Sequence, residues 1–72
     1  MEELTIKIEG EYIKLDSLLK LSGLVDSGGV AKELIQEGEV YVNAEPCTQR
    51  GRKIRVGDHV EIGDYLIEVE GE

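Results

Sequence analysis

The sequence predicts an α+β fold in which a short helical hairpin packs on a small, mainly antiparallel sheet. Apolar residues alternate with polar ones near both ends of the chain, which is typical of half-buried strands. Between the ends, two segments carry apolar residues at helical spacing, and each is followed by glycine. Because the chain has 72 residues, we expect one domain, residues 1–72, with a single compact core.

The first strand is predicted at Leu4, Ile6 and Ile8, which alternate with polar residues. Gly10-Glu11 favours a turn. We expect Tyr12-Ile13 to follow this turn as a brief second strand.

Two short helices are predicted to form the hairpin. Leu15, Leu18 and Leu19 lie at helical spacing, and Gly23 ends the first helix. Ser27 begins the second helix because its hydroxyl can accept a free backbone N–H, and Gly38 ends it. Neither helix is long enough to be stable alone, so their apolar faces must cover the sheet.

Further strands are predicted after the second helix. Val40 and Val42 point to one side of a strand and Tyr41 to the other. Asn43-Ala44 favours a tight turn, although such a turn prefers glycine at the second position. Gly63-Asp64 is a turn before the last strand. The remaining apolar strand positions are Ile54, Val56, Val60, Ile62, Ile67 and Val69.

Charge is unevenly distributed along the chain. The formal net charge is −8, which opposes the approach of nucleic acid. Residues 14–56 nevertheless carry seven cations and six anions, whereas the two ends carry ten anions and only Lys7. The acidic groups therefore lie mainly at the ends and the cations in the middle.

The densest cationic segment is Arg50-Gly51-Arg52-Lys53-Ile54-Arg55. Arginine binds phosphate with a planar fork, lysine adds a point charge, and glycine lets the backbone approach a partner. Such contacts provide the sequence-independent part of nucleic-acid affinity. A solvated strand edge that prevents aggregation explains the segment equally well.

The start of the second predicted helix is another candidate site for an anion. In Ser27-Gly28-Gly29-Val30-Ala31-Lys32, the free N–H groups of the helix end and the ammonium of Lys32 are suited to hold a phosphate. Taken alone, an ordinary capped helix is the simpler interpretation, and Asp26 opposes a bound anion. Lys14 and Lys20 flank the first helix and add two more candidate cations.

Several classes of function are disfavoured by the residues. Cys47 is the one cysteine, and with His59 alone it makes no metal site. No phosphate-loop motif or acid/base pair stands out, so we expect no enzyme activity and no cofactor. Tyr41 has the chemistry to stack on an unpaired base, but such a tyrosine more often serves packing. No signal peptide or membrane-length apolar run is found, so we expect a cytoplasmic protein with no membrane partner.

Five blocks of the sequence carry a family resemblance through their order along the chain. The blocks are Lys14-Leu15-Asp16-Ser17-Leu18-Leu19-Lys20, Ser27-Gly28-Gly29-Val30-Ala31-Lys32-Glu33-Leu34-Ile35, Gly38-Glu39-Val40-Tyr41-Val42-Asn43, Arg50-Gly51-Arg52-Lys53-Ile54 and Val56-Gly57-Asp58. In this order they strongly resemble the RNA-binding domain named after ribosomal small-subunit protein four, also called the Alpha-L RNA-binding motif. The resemblance covers residues 14–62 and is closest to small bacterial proteins that consist of this domain alone.

The resemblance implies that this chain binds structured RNA, ribosomal or transfer RNA, without catalysis. A role in ribosome assembly, with ribosomal proteins as further partners, is the corresponding hypothesis, and we expect a monomer. Ala44 departs from the family pattern, which usually has glycine after the asparagine. Carried over by position, the RNA-binding residues are Lys14, Lys20, Ser27, Lys32, Arg50, Arg52 and Lys53.

Two alternatives to RNA binding remain open at the level of sequence. In the first, the acidic ends hold a basic protein partner, and the cluster around Arg50 is structural. The second is a sulfur-carrier-like protein, which matches in size and acidity but needs a terminal Gly-Gly. The chain ends in Glu70-Gly71-Glu72, which disfavours the second alternative.

Overall fold

The computed structural model describes all 72 residues and confirms the α+β class, with two helices on a small sheet. The helices are α1 (Leu15–Ser22) and α2 (Gly28–Gln36). The strands are β1 (Glu2–Ile8), β2 (Ile13–Lys14), β3 (Val40–Val42), β4 (Glu45–Pro46), β5 (Lys53–Ile54), β6 (His59–Ile62) and β7 (Tyr65–Gly71).

Five of the strands form one sheet in the order β1-β7-β6-β3-β4, and β2 and β5 form a separate pair. Every pairing is antiparallel except that of β1 with β7, so the expected mainly antiparallel sheet is confirmed. The parallel pair runs from Glu2 beside Tyr65 to Ile8 beside Gly71. This pair joins the two ends of the chain. Local sequence patterns cannot reveal a pairing between residues so far apart.

The helix ends follow the predicted chemistry. Gly23 has a φ of 80°, and its N–H donates to the carbonyl of Lys20, which closes α1. The hydroxyl of Ser27 accepts a hydrogen bond from the N–H of Val30 at 3.3 Å, which caps α2. Gly38, with a φ of 79°, reverses the chain after α2. The start of α1, unlike that of α2, has no side-chain cap.

The core lies between the helices and the inner face of the sheet. Its members share near-complete burial and include Leu15, Leu18 and Leu19 of α1, Ala31 and Ile35 of α2, and Val40, Val42, Val60, Ile67 and Val69 of the strands. Cys47 is buried in the same cluster. The outer face of the sheet, which points away from the helices, carries the alternate residues of each strand.

Two expectations from the sequence are wrong, namely the strand position of Val56 and the first residue of β2. Val56, placed with the apolar strand positions, is 55% exposed. It lies in the turn between β5 and β6, where Gly57 adopts a φ of 94° and interrupts the alternation. The strand after Gly10-Glu11 begins at Ile13, not Tyr12, and it pairs with β5.

The Asn43-Ala44 turn generates a prediction about stability. Asn43 and Ala44 have φ values of 51° and 70°, as a type I′ turn requires. Alanine costs roughly 1–2 kcal/mol in the left-handed region, and glycine costs roughly 0.5–1 kcal/mol in chain entropy. We expect Ala44→Gly to raise the free energy of unfolding by about 0.5–1 kcal/mol, measured by urea denaturation with an unchanged m-value. A lower unfolding free energy would contradict this account of the turn.

Candidate nucleic-acid interface

The basic loop, residues 50–55, is fixed in space by the start of α1. The N–H of Leu15 donates to the carbonyl oxygen of Arg52 at 2.9 Å, and the N–H of Asp16 donates to that of Arg50 at 3.1 Å. Lys14, the N-cap residue, makes no side-chain capping bond, so these two carbonyls take the place of a cap. The side chains of Arg50 and Arg52 are therefore held beside the first turn of α1, and both are exposed.

The pairing of β2 with β5 adds two lysines to this surface. Ile13 lies opposite Ile54, and Lys14 lies opposite Lys53. Ile54 is fully buried, whereas both lysines are exposed. Like charges directly opposite each other destabilise a strand pair. An anion bound by both ammonium groups would remove this repulsion.

A polar clamp fastens the far end of the basic loop to the β3–β4 turn. The side-chain amide of Asn43 donates to Oδ1 of Asp58 at 3.1 Å, and its Oδ1 accepts from the backbone N–H of His59 at 3.0 Å. Oδ2 of Asp58 accepts the backbone N–H of Arg55 at 2.8 Å. The loop is thus held at both ends, by α1 and by the clamp.

The clamp lowers the pKa of the Asp58 carboxyl group. The hydrogen bond from the backbone N–H of Arg55 is the main cause. The amide of Asn43 and the positive charges of Arg52 and Arg55 act in the same direction, against partial burial. The lowered pKa favours the ionised form of Asp58, whose carboxylate accepts the hydrogen bonds that hold the loop.

The structure brings together four of the seven residues expected to bind RNA. Lys14, Arg50, Arg52 and Lys53 surround the start of α1. Lys20 lies in the last turn of the same helix. The other two lie on α2, where the hydroxyl of Ser27 is used as the helix cap. All seven side chains are exposed: Lys14, Lys20, Ser27, Lys32, Arg50, Arg52 and Lys53.

Two residues near this surface were not among the expected set. Arg55 is exposed, follows β5, and belongs to the same cationic segment. The ammonium of Lys53 lies 4.9 Å from the ring centroid of Tyr12, which is a cation–π distance. This contact joins the residue before β2 to a residue of β5, so local periodicity gave no signal for it.

A family model described as the S4 domain matches residues 6–70. The chain belongs to the S4 domain family. The match begins in β1 and ends in β7, so it includes the parallel pair outside the motif-bearing segment 14–62. The family resemblance inferred from the sequence is confirmed.

Two curated relatives share this S4 domain. The probable ribosome maturation protein RlbA of Bacillus subtilis is 53% identical over 60 residues, which cover 83% of this chain and 84% of RlbA. An uncharacterised RNA pseudouridine synthase of Aquifex aeolicus is 41% identical over 59 residues, which cover 82% of this chain but only 19% of the synthase. The same domain therefore occurs in a protein of similar length and as a small part of a longer one.

A solved structure supports the fold of the S4 domain. Heat Shock Protein 15 of Vibrio cholerae superposes with a TM-score of 0.67 at 17% identity, covering 78% of this chain and 58% of that chain. At this identity the likeness concerns the fold alone. Neither α1 nor α2 has the length and apolarity needed to cross a membrane.

The lowered pKa of Asp58 predicts a pH-dependent contribution to stability. Because the folded pKa lies below the ordinary value of about 3.9, this contribution is complete above that value and is lost as pH falls through the folded pKa. We expect Asp58→Asn to lower the free energy of unfolding at neutral pH, and we expect this effect to shrink as the pH falls below about 3.9. Urea unfolding of both proteins across this range is the measurement.

The control for this prediction is Asp64→Asn, which removes an exposed carboxylate in the turn before β7. It corrects for the general effect of removing one negative charge. A destabilisation by Asp58→Asn that stayed constant over the whole pH range would contradict the proposed cause.

Proposed function

We propose that this S4 domain binds structured RNA, without catalysis, through the surface around the start of α1. One observation carries the proposal. The basic loop is held by backbone hydrogen bonds to α1, so that the exposed side chains of Lys14, Arg50, Arg52 and Lys53 share one surface. Binding is determined by backbone charge and shape, because guanidinium and ammonium groups contact phosphates regardless of base.

The charge distribution of the folded domain supports the same surface. Glu3, Glu61, Glu68 and Glu70 lie at alternate positions of β1, β6 and β7, opposite the buried side chains, and therefore on the outer face of the sheet. Phosphates are repelled from that face. The side that carries α1 and the basic loop is the one that RNA can approach.

The relatives support RNA as the ligand. One is named for ribosome maturation and the other for pseudouridine synthesis in RNA. Each matches about four fifths of this chain, although this chain covers only 19% of the synthase. The synthase is named for RNA, and the ribosome of the other name contains RNA, so both names favour RNA as the ligand of the shared domain.

We further propose that residues 1–72 act as one domain and as a monomer on ribosomal or transfer RNA, in ribosome assembly. Lys20 of α1 and Ser27 and Lys32 of α2 extend the surface around the basic loop. The full set of proposed contacts is Lys14, Lys20, Ser27, Lys32, Arg50, Arg52 and Lys53. Ribosomal proteins are further partners in this proposal.

A second function, binding of a basic protein segment, is favoured by the outer face of the sheet. The acidic ends of the chain form β1 and β7, and their pairing gathers the acidic side chains there. In this alternative the protein binds a basic peptide and ignores RNA. The RNA experiment below separates the two functions.

A salt titration of binding to ribosomal RNA tests the proposed function. The variant Arg50→Ala/Arg52→Ala/Lys53→Ala keeps the backbone carbonyls that cap α1, so we expect it to fold. If each side chain contacts one phosphate, the variant loses affinity and its log Kd–log[salt] slope becomes shallower by about 2–3. Circular dichroism checks the fold of each protein.

A matched pair of lysines supplies the control. Lys53→Ala and Lys7→Ala each remove one exposed strand lysine, but Lys53 lies opposite Lys14, whereas Lys7 lies opposite Glu70. We expect the salt slope to fall by about one for Lys53→Ala and to stay unchanged for Lys7→Ala. Equal effects of the two variants, or no RNA binding by the wild type at low salt, would refute the assigned surface.

A further inference from the structure

We propose that the outer side of the β2–β5 pair binds an unpaired nucleotide of the RNA. The ring of Tyr12 stacks on the base, while Lys14 and Lys53 contact the phosphates beside it. This inference rests on the proposed function and deepens it, because it specifies RNA with an extruded or unpaired base as the ligand.

The geometry of Tyr12 carries the inference. Its side chain is 40% exposed, and the ammonium of Lys53 lies 4.9 Å from its ring centroid. The cation–π contact orients the ring beside the lysine pair. An exposed aromatic ring beside a cation offers a stacking surface next to a phosphate-binding group, which is how proteins hold single-stranded nucleic acid.

The lysine pair supports a strand rather than a lone phosphate as the ligand. Lys14 and Lys53 lie directly opposite each other, and the ring of Tyr12 lies against the ammonium of Lys53. A base that stacks on Tyr12 carries phosphates on both of its own sides, so its backbone can reach both ammonium groups. A duplex cannot use the ring, because its bases are already stacked and its deep groove is too narrow.

Tyr41, whose chemistry would also allow stacking, is not suited to this role. It is 41% exposed, nearly the same as Tyr12, but it lies on the outer face of the main sheet. Its cross-strand neighbours are Glu61 and Pro46. A base stacked there would bring its phosphates towards carboxylates. The two tyrosines are therefore nearly equally exposed but differ in the charge of their neighbours.

The test compares an RNA stem with one bulged nucleotide against the same stem fully paired. We expect the wild type to prefer the bulged RNA. Tyr12→Leu should weaken binding of the bulged RNA by roughly 5- to 150-fold, the effect of losing one base–aromatic stack, and abolish the preference. Its salt slope should stay unchanged because no charge is removed. Tyr12→Phe keeps the ring and should bind like the wild type.

Tyr41→Leu is the matched control, since it removes an equally exposed tyrosine. It should leave the affinity and the preference unchanged. In NMR spectra, the ring protons of Tyr12 should shift upfield when the bulged RNA is added, and those of Tyr41 should not. This measurement uses the wild type, so it decides the question even where Tyr12→Leu does not fold.

The outcomes separate this inference from the proposed function. Salt-dependent binding without a preference for the bulge, or equal effects of Tyr12→Leu and Tyr41→Leu, leaves RNA binding intact and overturns the stacking site. No binding of either RNA at low salt overturns both.

Discussion

The candidate interface depends on two hydrogen bonds, from the N–H groups of Leu15 and Asp16 to the carbonyl oxygens of Arg52 and Arg50. A helix of eight residues is marginal in water, and α1 has no side-chain cap. The distant loop satisfies these N–H groups, and each bond contributes about 0.5–1.5 kcal/mol to stability. Because the same bonds fix the backbone of the loop, α1 cannot form its native start without bringing the cations of the loop beside it.

Without a bound ligand, the surface created in this way lowers the stability of the protein. The loop closes onto α1 through the β2–β5 pair, which sets Lys14 opposite Lys53 although like charges oppose pairing. Breaks in local rules of sequence design are expected at functional or strained sites, and other interactions offset their cost. The polar clamp of Asn43 and Asp58 at the other end of the loop acts in the opposite sense, because its ionised carboxylate lies near Arg52 and Arg55 and offsets part of their repulsion.

Local chemistry predicted most of the elements of the fold, but not their pairing. Ser27, Gly23 and Gly38 specify the helix ends because caps and left-handed glycines act within a few residues. The pairing of β1 with β7 and of β2 with β5 depends on contacts between distant residues, which no local period encodes. The same limit applies to the site. The basic segment was visible in the sequence. The proposed choice of Tyr12 over Tyr41 for stacking depended on their neighbours, since Tyr12 contacts Lys53 and Tyr41 lies opposite Glu61.

The long-range pairing also reconciles a net charge of −8 with a phosphate-binding surface. Joining β1 to β7 places the acidic ends of the chain side by side, with their alternate glutamates on the outer face of the sheet. The molecule measures 30 × 24 × 22 Å, whereas the Debye length at physiological salt is about 8 Å. Carboxylates on the outer face are therefore largely screened from a phosphate bound beside α1, yet they repel one that approaches their own face. In the proposed function, the acidic ends thus act less on the strength of binding than on its orientation, since they favour the approach of RNA from the other side of the domain.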